Sequence, residues 1–151
     1  DAPFGDYYLN RALTADQRRA ALAAARQRLT AHRQVAAVFS HEELAAHPIA
    51  RTSPELWSVK DRIRASFHPD RSGDLVIALN PRVTPIAETG MGYVATHGSV
   101  WDYDRRVPML FWRKGLAGFE QPNPVMVVDM LPTLAAVIGL PLTGAAIDGR
   151  C

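Results

Sequence analysis

The stretch Val35-Ala36-Ala37-Val38-Phe39-Ser40-His41-Glu42-Glu43-Leu44-Ala45-Ala46 decides how the fold is read. Its first five residues form a β-prone run. Ser40 followed by Glu43 is the pattern of a capping box, in which a hydroxyl and a carboxylate each satisfy a backbone N–H at a helix start. A strand over 35–39 that runs directly into a short helix through 44–46 is therefore expected. His41 falls in the first turn of that helix and reads as a surface residue.

The same signals recur on both sides. Thr14 with Gln17 is another capping box, and the Ala-rich stretch 15–33 carries Leu22, Ala25 and Leu29 on one side. This predicts a long surface helix with Arg18, Arg19, Arg26, Arg28 and Arg33 facing solvent. Ser53 as N-cap and Pro54 at the first helical position predict a further helix, with Leu56, Val59, Ile63 and Phe67 as its core stripe. A turn at 70–73 leads into a strand over 74–79, and 107–112 reads as a buried strand. The apolar stretch 125–138 predicts a helix carrying Pro132 and closed by Gly139. Helices alternating with buried strands imply an α/β fold class built on a parallel sheet.

Between 80 and 99 the chain holds two prolines and three glycines with little periodicity, which predicts a long irregular loop. Loops of that length are commonly functional or disordered. This one ends in Thr96-His97-Gly98-Ser99.

The bulk composition restricts the function classes. With 151 residues, 48% of them hydrophobic, the chain can bury about 70% of its unfolded surface, so one globular domain is the default. The 17 Lys+Arg against 15 Asp+Glu give +2, and the arginines lie mostly along one helix. A solvated helix face accounts for them without a nucleic-acid partner. No apolar run approaches the ~20 residues of a membrane span. Cys151, the sole cysteine, excludes an internal disulfide and a cysteine zinc cage. A terminal lone Cys and a start at Asp1 lead us to expect a piece of a longer protein.

Two segments carry a family resemblance. Ser66-Phe67-His68-Pro69-Asp70-Arg71-Ser72-Gly73-Asp74 and Thr96-His97-Gly98-Ser99-Val100-Trp101-Asp102-Tyr103-Asp104-Arg105-Arg106-Val107-Pro108 resemble, in this order, the C-terminal motifs of nucleophilic-threonine alkaline phosphatases. Val128-Asp129-Met130-Leu131-Pro132-Thr133-Leu134 is similar to the Asp-x-x-Pro-Thr-Leu helix of phosphatases, sulfatases and phosphodiesterases of the alkaline phosphatase superfamily, including the nucleotide pyrophosphatases. The sequence departs from the shorter family pattern at 90–95.

The resemblance implies the C-terminal portion of an alkaline phosphatase-like sandwich. A helix-strand lobe would occupy 1–85, and a metal-ligand loop, core strand and C-terminal helix would occupy 86–151. It implies a zinc-dependent phosphate-ester hydrolase with a bimetal site, in which an upstream Thr attacks in line and a covalent phospho-enzyme is then hydrolysed. His97 is the one ligand it assigns here. The nucleophile and the remaining ligands would lie before Asp1, so this piece alone would be inactive, binding no zinc tightly. The resemblance also implies a periplasmic or secreted protein, a small-molecule phosphate ester as substrate and the missing N-terminal half as partner. An apolar face left uncovered would favour a homodimer.

Spacing alone supplies less. His32, His41, His47, His68 and His97 show no paired metal-ligand spacing. His68 reads as a cap for backbone groups in its turn. Asp102 and Asp104 flank Tyr103 in a pattern that more often positions a loop than binds metal. Arg105-Arg106 could grip a phosphate bidentately, while Thr96 and Ser99 lack the neighbours of a nucleophile. Phosphomonoesterase is favoured over phosphodiesterase, and a non-catalytic binding module on the same fold is the rival from another class.

Overall fold

The computed structural model describes residues 5–85, 90, 95–144 and 146–150. The chain divides into two compact units, Asp1–Phe111 and Trp112–Cys151. The first holds a mixed α/β arrangement: β1 (Asp6–Tyr7), α1 (Ala15–Thr30), β2 (Val35–Ser40), α2 (His41–Ala45), α3 (Val59–Ser66), β3 (Leu75–Leu79) and a single helical turn, α4 (Asp102–Arg105).

Both capping boxes exist as expected. Thr14 and Gln17 exchange bonds at the start of α1, and Ser40 and Glu43 do so at the start of α2. The helix expected from Ser53 is broken in two. Ser53 makes no side-chain cap, Pro54–Leu56 is a 3-10 turn, and Trp57 is extended. The true start is Ser58, whose hydroxyl caps α3 in a third box with Asp61. Leu56 therefore points outward, whereas Ile63 is buried and Val59 and Phe67 pack beside it.

The sheet is antiparallel, against the parallel expectation. Its order is β1-β3-β2, with Asp6 opposite Val76, and Phe39 also opposite Val76 from the other side. Val35 pairs with Leu79 while Ala37 pairs with Ala78, so Ala36 is an extra residue on β2. A bulge of this kind resets the in-out alternation. It allows Val35 and Val38, three apart, to join Leu75, Ile77 and Leu79 against Leu22, Ala25 and Leu29 of α1. The opposite face gathers Leu44, Ile63 and Ala78 with Phe39, Phe67 and Val100. Helices thus cover both faces of a small sheet.

The segment 66–74 fastens the edge strand. Gly73 N–H donates to Asp6 at 2.6 Å, Asp74 N–H to Tyr7 O at 2.7 Å, and Leu9 N–H to the Asp74 carboxylate at 2.7 Å. Arg18 of α1 pairs with the same carboxylate, so one of the five arginines expected in solvent ties α1 to the sheet. A Cβ on Gly73 would sit 2.7 Å from Tyr7 O, which explains the glycine. His68 Nδ1 accepts from Asp70 N–H at 3.2 Å, the capping role expected of it. His41 is half-buried rather than on the surface: its ring meets Phe67 edge-on and bonds Pro69 O at 2.8 Å.

The strand expected at 107–112 does not form. Among the described residues it has no ladder partner, Pro108 lacks a donor, and Leu110 and Trp112 are each 89% exposed. In the second unit the expected helix starts late, as a 3-10 turn Val127–Asp129 followed by α5 (Met130–Ile138). The later start puts Pro132 in the first turn, where its missing N–H costs nothing. Gly139 closes α5 at φ 70°, as expected. Asp129 accepts from Met126 and Arg150 N–H groups, both at 2.8 Å, and the Arg150 bond leads in holding its carboxyl below the ordinary range.

Asp61 gives the fold a pH dependence. The Ser58 hydroxyl first, then the His47 ring at 2.7 Å, lower its carboxyl from 3.8 to about 2. A depressed carboxylate adds stability that is present above pH 4 and lost as pH falls through 2. Denaturant unfolding between pH 5 and 2 should therefore show a shallower pH dependence in Ser58→Ala than in the parent chain.

Candidate functional site

The loop carrying His97 is held by groups distant in sequence. Gly98, next to His97, takes φ 98°, a conformation that favours glycine. Val100 then enters the core cluster of Leu44 and Ile63. Arg62 of α3 reaches under this segment, donating to Val100 O and Trp57 O, both at 3.0 Å, and pairing with Asp102 at 3.2 Å.

Helix α4 supplies the other fastenings. Trp101 Nε1 donates to Leu79 O at 2.9 Å, at the end of the central strand. Arg105 bonds Asp102 at 3.0 Å and Pro54 O at 3.1 Å, its guanidinium 5.8 Å from the Trp57 ring centre. Arg106 pairs with Glu55 at 2.6 Å. Arg105 is thus engaged in the fold, while Arg106 makes an exposed surface pair. Tyr103 OH accepts from Arg82 N–H at 2.8 Å, pinning a turn in which Arg82 takes φ 64°.

Asp104 closes the loop on itself. Its carboxylate accepts from Ser99 N–H at 2.5 Å. That bond leads in holding the Asp104 carboxyl below the ordinary range, with the Ser99 hydroxyl, the Gly98 backbone and the charge of His97 adding to it and partial burial opposing. Asp102 and Asp104 therefore position the loop, as their spacing suggested, rather than forming a carboxylate pair.

Beneath the loop lies a cleft of about 240 Å³, lined by apolar residues such as Phe67, Ile77 and Trp101 and by Asn80, Thr96, His97, Tyr103 and Asp104. Four histidines are engaged locally: His32 with Gln34 N–H, His41 with Pro69 O, His47 with Asp61 and His68 with Asp70 N–H. His97 is exposed at this cleft and has no hydrogen-bond partner among the described residues. No three metal-capable side chains gather among the described residues. An accessible imidazole fits a single metal ligand, and among the described residues no second and third ligand gather beside it.

Residues 86–89 and 91–94, which hold most of the departure at 90–95, lie outside the described residues. The sequence reading found His97 and the aspartates but not Glu55, Trp57 or Arg62, which act from some 40 positions away. No local pattern marks them.

This mixed α/β chain, with an accessible histidine on a fastened loop, is similar in sequence to the C-terminal part of proteins named alkaline phosphatases. It is 55% identical over 152 residues to alkaline phosphatase PhoK of Sphingomonas sp, covering 100% of this chain and 27% of that protein. To alkaline phosphatase PhoD of Zymomonas mobilis subsp. mobilis it is 52% identical over 149 residues, 99% of this chain and 26% of that protein. A more distant match, 26% identical over 104 residues, is to alkaline phosphatase PafA of Elizabethkingia meningoseptica, with 64% of this chain and 18% of that protein aligned. The chain spans about a quarter of the length of the PhoK and PhoD relatives. No family model matches it.

Proposed function

We propose that the chain is part of a zinc-dependent alkaline phosphatase, a phosphomonoesterase that acts through a Thr nucleophile and a bimetal site supplied largely by the rest of the polypeptide. The similarity to alkaline phosphatases along essentially the whole chain carries this reading. His97, accessible at the cleft, supports its role as one zinc ligand. Bound zinc would supply Lewis acidity, lowering the pKa of a hydroxyl nucleophile and offsetting charge on the departing oxygen. The residues of this chain would present the imidazole, hold the loop beneath it and wall one side of the site. A periplasmic or extracellular location is part of the same proposal.

Exposed apolar side chains such as Leu110, Trp112 and Phe119 suit a chain that packs against further polypeptide. The expected result is that His97→Ala in the complete phosphatase loses zinc and turnover together while its circular dichroism is unchanged. Retention of full zinc content and rate would remove His97 from the metal site. The isolated chain should hydrolyse no aryl phosphate, with or without zinc.

A further inference from the structure

We propose that Asp104 is the positioning residue for His97: its carboxylate, bonded to the Ser99 backbone, fixes the turn that presents the imidazole at the cleft. The inference rests on the reading of His97 as a zinc ligand.

Three observations carry it. Ser99 N–H meets Asp104 Oδ2 at 2.5 Å, a short charge-assisted bond that closes the chain from 99 to 104. The carboxylate stands on a rigid base, because the N–H groups of Asp104 and Arg105 both donate to Trp101 O at 3.0 Å and the Trp101 indole is tied to Leu79 O. His97 itself has no side-chain partner among the described residues, so where its ring is presented depends on the backbone, which takes φ 98° at Gly98. Freed from Asp104, Ser99 would release the backbone that places His97, and the imidazole would spend less time at the cleft.

The test uses the complete phosphatase as wild type, His97→Ala, Asp104→Ala and the double variant. Zinc affinity is measured by chelator competition, and turnover with and without added zinc. Asp104→Ala should bind zinc more weakly than wild type, by no more than His97→Ala does, and regain turnover when zinc is added. The double variant should bind no more weakly than His97→Ala, because Asp104 acts only through that ring. A general structural role would instead lower the melting temperature and add its effect to that of His97→Ala. If His97→Ala keeps zinc affinity and rate, the ligand reading fails. If His97→Ala loses zinc but Asp104→Ala binds it as wild type does, or the two losses add, the positioning role fails and the ligand reading stands. Should Asp104→Ala not fold, Asp104→Leu keeps the bulk of the side chain while removing the acceptor for the Ser99 N–H. An affinity between those of wild type and His97→Ala then supports the role, and wild-type affinity overturns it.

Discussion

Leu44→Ala should lower the unfolding free energy by roughly 3–5 kcal/mol, the upper part of the range for truncating a buried leucine. Leu44 is 0% exposed and lies with Ile63 and Ala78 among Ala37, Phe39, Val59, Phe67, Val76 and Val100. Several of these neighbours sit on β2 and β3, whose backbones are fixed by the ladder, so the cavity cannot close by a simple shift. Denaturant unfolding monitored by circular dichroism would measure the loss. Leu131→Ala is the contrast, since Leu131 of α5 is 55% exposed and its truncation should cost well under 1 kcal/mol. Because Val100 packs on the same cluster, Leu44→Ala should also speed amide exchange in the loop that follows His97. A loss below about 1 kcal/mol would show that this cluster is not the core of the first unit.

Features written in a few adjacent residues were legible, and features made by distant partners were not. Thr14 with Gln17 and Ser40 with Glu43 gave their helix starts, because a capping box is a contact between positions three apart. Gly139 gave the end of α5 for a similarly local reason. Ser53-Pro54 misled although the local pattern favours Ser58, which has Asp61 three residues on to complete a capping box where Ser53 has only Leu56. The strand expected at 107–112 had the right composition without an adjacent strand to pair with. β1 is two residues long, held by Gly73 and Asp74 from across the sheet, and no local period could signal it. Strand direction likewise depends on which edges meet. At the candidate site, the resemblance pointed to His97, and the spacing of Asp102 and Asp104 suggested positioning. How the loop is held depends on the partners of Trp101 and Tyr103, at Leu79 and Arg82, and on Arg62, none of which lies in the motif that carries His97.

Arg62→Leu should free the His97 loop from the body of the first unit, at a cost of about 3 kcal/mol, since hydrogen bonds to charged groups are worth about 1.5–3 kcal/mol each and are not additive. The side chain is 12% exposed and joins three elements through Trp57 O, Val100 O and Asp102. Removing it leaves two carbonyls without their donor and leaves Asp102 with Arg105 alone. Leucine keeps the bulk, so the loss reports the bonds rather than a cavity. Arg62→Lys would keep the charge but cannot span two carbonyls and a carboxylate with one ammonium, so it should recover less than half of the loss. Hydrogen exchange supplies the local measurement: the amides of Asp104, Arg105 and Arg106, which bond within the α4 turn, should lose protection. Amides of α1 should change only with global stability, because α1 packs on the opposite face of the sheet. If protection in α4 survives Arg62→Leu while global stability falls, Arg62 serves the core and the loop is held by Trp101 and Asp104 instead. If α4 alone is released, the position of His97 is set from α3, and a histidine exposed to solvent is oriented by a nearly buried arginine that never touches it.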